Sequence, residues 1–334
     1  MTHSPSLPSC GRNGCRMLRL TLVACGLAAA TLAAGPRLAA EEAPAPQRDA
    51  AEEPAEPERH LLRYAFVAGE VLRWDVTHRS RVRTSVSGTT KTADTSSQSV
   101  KAWEVREVAE DGTATFVYSV ESVDMRHTID DGEEVRFNSQ TDGAVPPGFD
   151  HLARSLNVPL AFVKMDARGE IVEKSALPAD ASVIGEGTMT LPLPEEPVAV
   201  GDSWTRPQEI IVPLETGVSR RVQLVQRCTL EAVRTGVATI RVANQILTPI
   251  HSPELEAKLV QRQTQGTVRF DVDAGRVIAH QMDLDRRVFG FRGETSSIHY
   301  VSRFQERFLP EQSETGEEAA HRTAAREPVA RASR

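Results

Sequence analysis

The first forty residues of the chain contain no aspartate or glutamate, although the whole sequence carries 46 of them. Three basic residues stand before the apolar run of this segment: Arg12, Arg16 and Arg19. The run covers residues 20–34 and is followed by small residues up to Ala40, a pattern typical of a secretory signal peptide. It is shorter than the about 20 apolar residues that a membrane-spanning helix needs. We therefore predict that residues 1–40 are removed on export to the periplasm or medium, which leaves no transmembrane helix.

A second interpretation of the leader rests on Cys25. The sequence Leu22–Cys25 would pass as the lipobox of a bacterial lipoprotein, in which the cysteine becomes the lipid-bearing N-terminus. The apolar run continues past Cys25 to Ala34, whereas an acylated cysteine should close it. The sequence therefore favours a released chain, and a lipoprotein anchored through Cys25 is the alternative.

Cysteine is scarce, and three of the four cysteines lie in the predicted leader. Cys228 would be left alone, so the mature fold cannot rest on an internal disulfide and must rest on an apolar core. Cys228 lies in a strand-like stretch, residues 225–230. A nucleophilic cysteine would need a histidine or a cation to lower its pKa, so we predict a buried small hydrophobe.

Motifs of nucleotide and metal chemistry are missing. The sequence has no Gly-rich dinucleotide fingerprint and no Walker loop, and its histidines form no His-x-His or His-Glu-x-x-His pattern. Basic and acidic residues are nearly balanced over residues 59–309, without the basic stripe that phosphate backbones require. We predict no cofactor, no metal site and no nucleic-acid partner.

Two flanking segments lack the composition of a folded core. Residues 41–58 are rich in Pro, Ala and Glu and contain no aromatic residue, and residues 310–334 have the same character. Such segments bury too little apolar surface to offset chain entropy, so a disordered linker and a disordered tail are predicted. Between them we expect a first β half at 59–158 and a second at 159–309.

Strand patterns dominate this core. Residues 72–83 alternate in polarity, which places three arginines on one face of a strand: Arg79, Arg81 and Arg83. Residues 113–123 are rich in β-branched and aromatic residues and follow the turn pair Asp111-Gly112. Helix is restricted to residues 149–156 and to a segment capped by Ser252, whose sequel could equally be extended. The predicted fold is mainly β, with antiparallel, strongly curved sheets (half-barrel or sandwich-like) and one or two short helices.

A register can be assigned to the hairpin at residues 266–284. A three-residue turn at 273–275, with Gly275 in the left-handed conformation, places Phe270 opposite Ile278 and Val268 opposite His280. One face of the hairpin is then apolar: Val268, Phe270, Val272, Ile278, Met282 and Leu284. Because His280 lies on this face, we predict a hydrogen-bonded core histidine rather than a ligand or a base.

Three pairs of segments echo each other in the same order along the core: Gly69-Glu70 to Trp74 with Gly201-Asp202 to Trp204, Val105 to Thr115 with Leu230 to Thr239, and Val135–Phe137 with Val268–Phe270. The gaps between the echoes differ. The pattern indicates a duplicated β-meander, and chance similarity among β sequences is the alternative.

Three patterns that could carry chemistry have simpler structural interpretations. Ser203 follows a glycine but lacks the second glycine of a nucleophile elbow, so a turn is favoured. Residues 271–275 resemble the opening of a calcium loop, but Met282 stands where such a loop needs a bidentate glutamate. The acidic cluster at 130–134 is interpreted as a solvated turn.

Three segments carry a resemblance to known proteins. They are residues 156–171, residues 192–204 with Pro197-Val198 and Gly201-Asp202-Ser203-Trp204, and residues 266–276. Together they resemble a class of uncharacterised exported bacterial proteins with a "pVkvGDsW" segment between two β halves, and the tails are similar to those of planctomycete exported proteins. The class has no established activity, so the resemblance implies no catalytic residues.

The function predicted from the sequence is a binding or scaffolding module of the cell envelope, with an apolar small molecule or an envelope protein as partner. Its ligand-binding residues are unknown. The alternative is a hydrolase with a site assembled near residues 127–151, where four residues flank predicted turns: His127, Asp130, Asp131 and His151. An apolar cavity would favour binding, whereas converging carboxylates and histidines in a cleft would favour catalysis.

Overall fold

The computed structural model describes residues 57–176, 191–214 and 217–310. The predicted leader at 1–40, the predicted linker up to residue 56 and the predicted tail beyond Pro310 lie outside the described residues. Signal cleavage, lipidation of Cys25 and disorder of the flanking segments therefore stay predictions. Within the described ranges, no helix is long and apolar enough to span a membrane.

The described residues form fourteen strands, two short α-helices and one 3-10 turn at Val260–Arg262. The strands are β1 Arg59–His60, β2 Val71–Val86, β3 Thr89–Val108, β4 Ala114–Ile129, β5 Val135–Asn138, β6 Ala161–Met165, β7 Ile171–Ala176, β8 Val198–Ala199, β9 Ser203–Pro213, β10 Ser219–Arg234, β11 Val237–Ile246, β12 Gln265–Asp271, β13 Arg276–Phe289 and β14 Ser297–Leu309. The helices are α1 Asp150–Arg154 and α2 Pro253–Leu259.

Twelve of the strands form one antiparallel sheet. Its order is β7-β6-β4-β3-β2-β14-β13-β12-β11-β10-β9, with β5 paired to β4 beside this path. The sheet therefore consists of two meanders joined where β14 pairs with β2, and it is not closed. The predicted fold class is confirmed. Because β6 pairs with β4, the first meander of the sheet continues past residue 158 to the end of β7.

The sequence echoes coincide with repeated hydrogen bonds. The Gly69 N–H donates to the Val105 carbonyl at 2.8 Å, and the Gly201 N–H donates to the Leu230 carbonyl at the same distance. The acidic residue after each glycine accepts from the N–H three residues before it, Glu70 from Val67 at 2.8 Å and Asp202 from Ala199 at 2.9 Å. Each turn leads into the first long strand of its meander, so the two halves share a local structure as well as a sequence pattern.

The β12–β13 hairpin follows the predicted register only in part. Val268 lies opposite His280 as predicted, but Phe270 lies opposite Val277, and Ile278 is an extra residue in a β-bulge. The turn has four residues, 272–275, because the Asp271 carboxylate accepts from the Ala274 N–H at 2.8 Å and holds a wider loop. The predicted three-residue turn and the Phe270–Ile278 pair are wrong, whereas Gly275 has the predicted positive φ of 60°.

The inner face of the sheet, which carries Leu72, Trp74 and Val76, is covered by the chain itself. At one end, Tyr64 from the segment at 61–67 meets Phe270 edge to face at 5.4 Å between ring centroids. The segment at 191–198 joins the same core. Aromatic pairs of this kind add to the stabilisation that area burial already gives. The core at this end is therefore packed with the protein's own side chains.

Helix α2 covers the inner face at the other end of the sheet. Ser252 accepts from the Leu255 N–H, and Pro253 is the first helical residue, so the helical alternative of the sequence is confirmed. Leu255 and Leu259 are fully buried against β9 and β10. Cys228 is also fully buried, and burial raises the pKa of its thiol to about 12, as expected for a core residue rather than a nucleophile.

Candidate functional site

The outer face of the sheet, opposite Leu72 and Trp74, carries the arginines of β2. Arg79, Arg81 and Arg83 are exposed and share this face, as their alternation predicts. They line a groove of about 1440 Å³ that extends over β4, β3, β2, β14, β13 and β12. The groove is lined mostly by polar and charged side chains, with Val301 as an apolar exception on the same face.

One row of directly opposed residues crosses the whole groove. From β4 to β12 the row consists of Arg126, Ser96, Arg79, Arg303, Asp283 and Gln265. All six residues line the groove. Because neighbouring strands lie about 4.8 Å apart, the Ser96 hydroxyl stands between two guanidinium groups, and a third guanidinium follows on the next strand.

Two arginines of the groove are held by carboxylates. Arg303 Nε donates to Asp283 Oδ1 at 2.6 Å, and Arg81 Nε donates to Asp94 Oδ1 at 2.7 Å. Burial alone would raise the pKa of Asp283, but hydrogen bonds from Arg303 and Gln281 lower it. These ion pairs fix the direction of both guanidinium groups before any ligand arrives.

Arg126 forms a longer ion pair, with its Nε 3.9 Å from Asp124 Oδ1, whereas two further arginines of the groove have no such partner. Among the described residues, no hydrogen bond or ion pair engages the side chain of Arg79 or Arg83, and both are exposed. Arg79 lies directly opposite Arg303, an arrangement of like charges that destabilises a strand pair. An anion between them would relieve this repulsion.

A histidine lies at one end of the groove. His299 is opposite Arg83 across the β2–β14 pair. Its Nε2 is 2.7 Å from Asp285 Oδ1, and its Nδ1 is 3.4 Å from a guanidinium nitrogen of Arg287. The imidazole is therefore oriented by one carboxylate and one cation of the neighbouring strand.

The inner face contains a buried polar cluster that does not reach the groove. Lys101 and Glu306 are 4% and 7% exposed, and Lys101 Nζ lies 3.5 Å from Glu306 Oε1. His280 Nδ1 lies 3.4 Å from Glu306 Oε2, so the predicted hydrogen-bonded core histidine is confirmed. Burial lowers the pKa of Lys101, while the Glu306 carboxylate opposes this shift. Since these groups are enclosed, we assign them a structural role.

Two of the four residues proposed for a hydrolase have local partners in strand β3. His127 Nδ1 lies 3.0 Å from Thr95 Oγ1, and Asp130 Oδ1 accepts from the Thr92 N–H at 2.6 Å. Asp131 is exposed in the following turn, and His151 lies in α1. The described contacts of His127 and Asp130 therefore serve the strand and its turn and do not join the two groups in a cleft.

Ser203 and Asp271, the other residues that the sequence offered for chemistry, also stabilise the sheet and its turns. The Ser203 hydroxyl lies 2.7 Å from that of Thr229 on the adjacent strand. The Asp271 carboxylate holds the β12–β13 turn. Among the residues that the structure describes, no group of three or more His, Cys, Asp or Glu side chains is placed to hold a metal ion.

The sequence pointed to only part of the groove. The alternation in β2 gives Arg79, Arg81 and Arg83, but Arg126 and Arg303 lie on strands distant in sequence. Their place beside Arg79 depends on the β3–β4 and β2–β14 registers. Arg303 could have been identified from the alternation of polar and apolar residues in β14, if the pairing of β14 with β2 had been known.

Comparisons with known proteins give weak likenesses only. No protein-family model and no curated protein matches the chain. A lipovitellin structure, titled for its lipid–protein interactions, has a TM-score of 0.42 and 14% identity over 75% of this chain and 26% of that chain. This chain therefore spans about a quarter of the lipovitellin chain.

Two further solved structures are less similar. The translocator domain of the autotransporter NalP from Neisseria meningitidis has a TM-score of 0.27 and 7% identity, over 72% of this chain and 89% of that one. A DUF1329 family protein from Desulfovibrio piger has a TM-score of 0.15 and 12% identity, over 74% and 90% of the two chains. Likenesses this weak assign no function.

Proposed function

We propose that this chain is an exported binding module that holds an anionic ligand in the groove on its outer face. The observation that carries the proposal is the row Arg126, Ser96, Arg79 and Arg303, in which three guanidinium groups and a hydroxyl stand side by side on four neighbouring strands. Guanidinium groups bind carboxylate, sulfate and phosphate through two parallel hydrogen bonds, which suits them to this task.

The charge of the groove differs in sign from that of the chain. The whole sequence has a formal net charge of −7, whereas five arginines of the outer face and four carboxylates line the groove. Exposed charges farther away than about 8 Å are largely screened at physiological salt, so a bound anion responds mainly to the groove. The local excess of cations therefore supports anion binding despite the acidic chain.

One arginine of the groove is already held in place for anion binding. Arg303 is held by Asp283, so its guanidinium does not have to be immobilised when a ligand binds. Arg79, opposite it, has no described partner and keeps its hydrogen-bond donors free for the ligand. Because one guanidinium is already fixed and its neighbour is unpaired, an anion can bind between them at a small cost in side-chain entropy.

The apolar small molecule predicted from the sequence would have to bind on the inner face. The segments at 61–67 and 191–198 pack there at one end, and α2 packs at the other. An apolar ligand would therefore share this face with these segments. The apolar ligand and the envelope partner stay predictions, and the test below separates them from anion binding.

The test is titration calorimetry of the full chain with dextran sulfate, with uncharged dextran as the ligand control. We expect binding of dextran sulfate only, with an affinity that falls as salt rises. Arg79→Gln should weaken binding about tenfold or more, which corresponds to about 1.4 kcal/mol. The matched control is Arg269→Gln, which removes an exposed arginine of β12 that does not line the groove, and it should change the affinity less than twofold.

Two results would overturn anion binding in the groove. One is the absence of dextran sulfate binding even at low salt. The other is an equal loss of affinity in Arg79→Gln and Arg269→Gln, which would indicate diffuse attraction. Uptake of the neutral probe N-phenyl-1-naphthylamine by a chain that ignores dextran sulfate would support the apolar ligand instead.

A further inference from the structure

The dimensions of the groove exceed those of a single small anion. Arg79 and Arg83 are four residues apart on β2, a distance of about 13 Å at ~3.3 Å per residue. From Arg126 on β4 to Gln265 on β12 the row crosses five strand spacings, about 24 Å at ~4.8 Å each. The volume of about 1440 Å³ is also above the roughly 300–1,000 Å³ of ordinary small-molecule pockets. A ligand that fills the groove is an extended chain.

The groove offers more than cations to such a chain. Three of its carboxylates, Asp94, Asp283 and Asp285, lie among the arginines on β3 and β13. Hydroxyl and amide residues complete the lining: Ser96, Thr128, Gln263 and Gln265. Carboxylates accept hydrogen bonds from hydroxyl groups and repel other anions. The lining therefore suits a polymer that alternates anionic groups with hydroxyl groups.

The same lining is poorly suited to the other common polyanions. A polyphosphate chain carries an anionic group at every unit and no hydroxyl groups between them, so it would bring anionic groups against the three carboxylates without any hydrogen-bond donor. Single-stranded nucleic acid is held by aromatic side chains on which its bases stack, and no Phe, Tyr or Trp is among the described residues that line this groove. The three carboxylates thus disfavour polyphosphate, and the lack of stacking side chains disfavours single-stranded nucleic acid.

We infer that the ligand of the groove is an acidic polysaccharide, which lies across β4, β3, β2, β14 and β13 with its anionic groups at Arg126, Arg79 and Arg303 and its hydroxyl groups at the carboxylates of β3 and β13. The inference rests on the proposed function and specifies its ligand class. The distance between Arg126 and Arg79, two strand spacings or about 10 Å, is comparable to a disaccharide unit. Sulfate-bearing and carboxylate-bearing chains share this chemistry.

The experiment measures the affinity of the full chain for three polymers by calorimetry at physiological salt. The polymers are matched for the number of charges and are alginate, dextran sulfate and inorganic polyphosphate. We expect at least one of the two polysaccharides to bind tenfold or more tightly than polyphosphate. Asp285→Ala should reduce this preference severalfold, because it removes an acceptor for hydroxyl groups and a repulsion for phosphates. The control Glu110→Ala removes an exposed carboxylate at the β3–β4 turn, outside the groove, and should leave the preference unchanged.

The outcomes distinguish the proposed anion binding from the inferred preference for an acidic polysaccharide. Polyphosphate binding that equals or exceeds that of both polysaccharides overturns the inference and leaves anion binding intact. Equal effects of Asp285→Ala and Glu110→Ala also overturn the inference. If none of the three polymers binds, the proposed function fails together with it. Of the two polysaccharides, the one that binds more tightly identifies carboxylate or sulfate as the preferred group.

Discussion

Gly275 is the position at which the structure predicts the sharpest loss of stability from the smallest change. Its φ is 60°, and a Cβ at this position would lie 2.5 Å from the Ala65 nitrogen and 2.6 Å from the Ala65 Cβ. The Gly275 carbonyl accepts from that same Ala65 N–H at 3.0 Å. The turn of the β12–β13 hairpin therefore rests directly on the segment at 61–67.

The magnitude for Gly275→Ala follows from three contributions. The left-handed conformation costs a non-glycine residue roughly 1–2 kcal/mol. Displacement of Ala65 breaks a backbone hydrogen bond worth about 1 kcal/mol. It also disturbs the packing of Tyr64 on Phe270, an aromatic pair worth about 0.5–1.5 kcal/mol. We expect a total loss of roughly 2.5–4.5 kcal/mol in the free energy of unfolding.

The matched control is Gly88→Ala in the β2–β3 turn. Gly88 has a φ of 81°, but nothing lies within 4 Å of the position that its Cβ would take. Its substitution should cost only the conformational part, roughly 1–2 kcal/mol. Urea unfolding of the full chain, followed by tryptophan fluorescence, measures both variants. Equal losses would show that the contact between the turn and Ala65 contributes nothing, and the reasoning would be refuted.

Four further predictions follow from the buried groups. Lys101→Met should lower the free energy of unfolding by about 3–5 kcal/mol, because it leaves the Glu306 carboxylate buried without its cation, and the double variant with Glu306→Leu should regain most of the loss. Burial, with the charge of Lys101, lowers the pKa of His78. The unfolded chain therefore takes up a proton first as the pH drops below ~6.5, and the free energy of unfolding should decrease. In urea titrations between pH 5 and 7, this decrease should be smaller for His78→Gln than for the unmodified protein. Phe270→Ala should cost about 3–5 kcal/mol in the same assay, since the ring is fully buried. Cys228 should resist iodoacetamide at pH 8 in the native protein and react after unfolding, as mass spectrometry would show.

The parts of the fold that depend on neighbouring residues in the sequence were predictable. Alternation in β2 gave the correct face for Arg79, and the cap at Ser252 marked the start of α2. The echo between Val105 and Leu230 marked the positions at which the same turn hydrogen bond recurs. Each of these features is decided within a few residues by side-chain direction, capping or turn geometry.

The parts that failed depend on distant contacts. The bulge at Ile278 and the four-residue turn accompany the docking of Gly275 on Ala65, which no local pattern in residues 266–284 reveals. The candidate site depends on the pairing of β14 with β2, so Arg303 could not be placed beside Arg79 from the sequence of either strand. Apolar alternation predicts which face is buried, but it does not predict which strands are neighbours.

The pairing of β2 with β14 has a consequence for the time course of folding. During synthesis β2 leaves the ribosome long before β14, and at ~5–20 residues per second the interval is on the order of ten seconds or more. Throughout this time one edge of β2 has no native partner, and an unpaired edge is a template for association with another chain. Arg79, Arg81 and Arg83 project from that edge strand, and three like charges repel the same strand of a second copy. The arginines that line the groove of the folded protein thus also hinder association through the unpaired edge of β2 during folding.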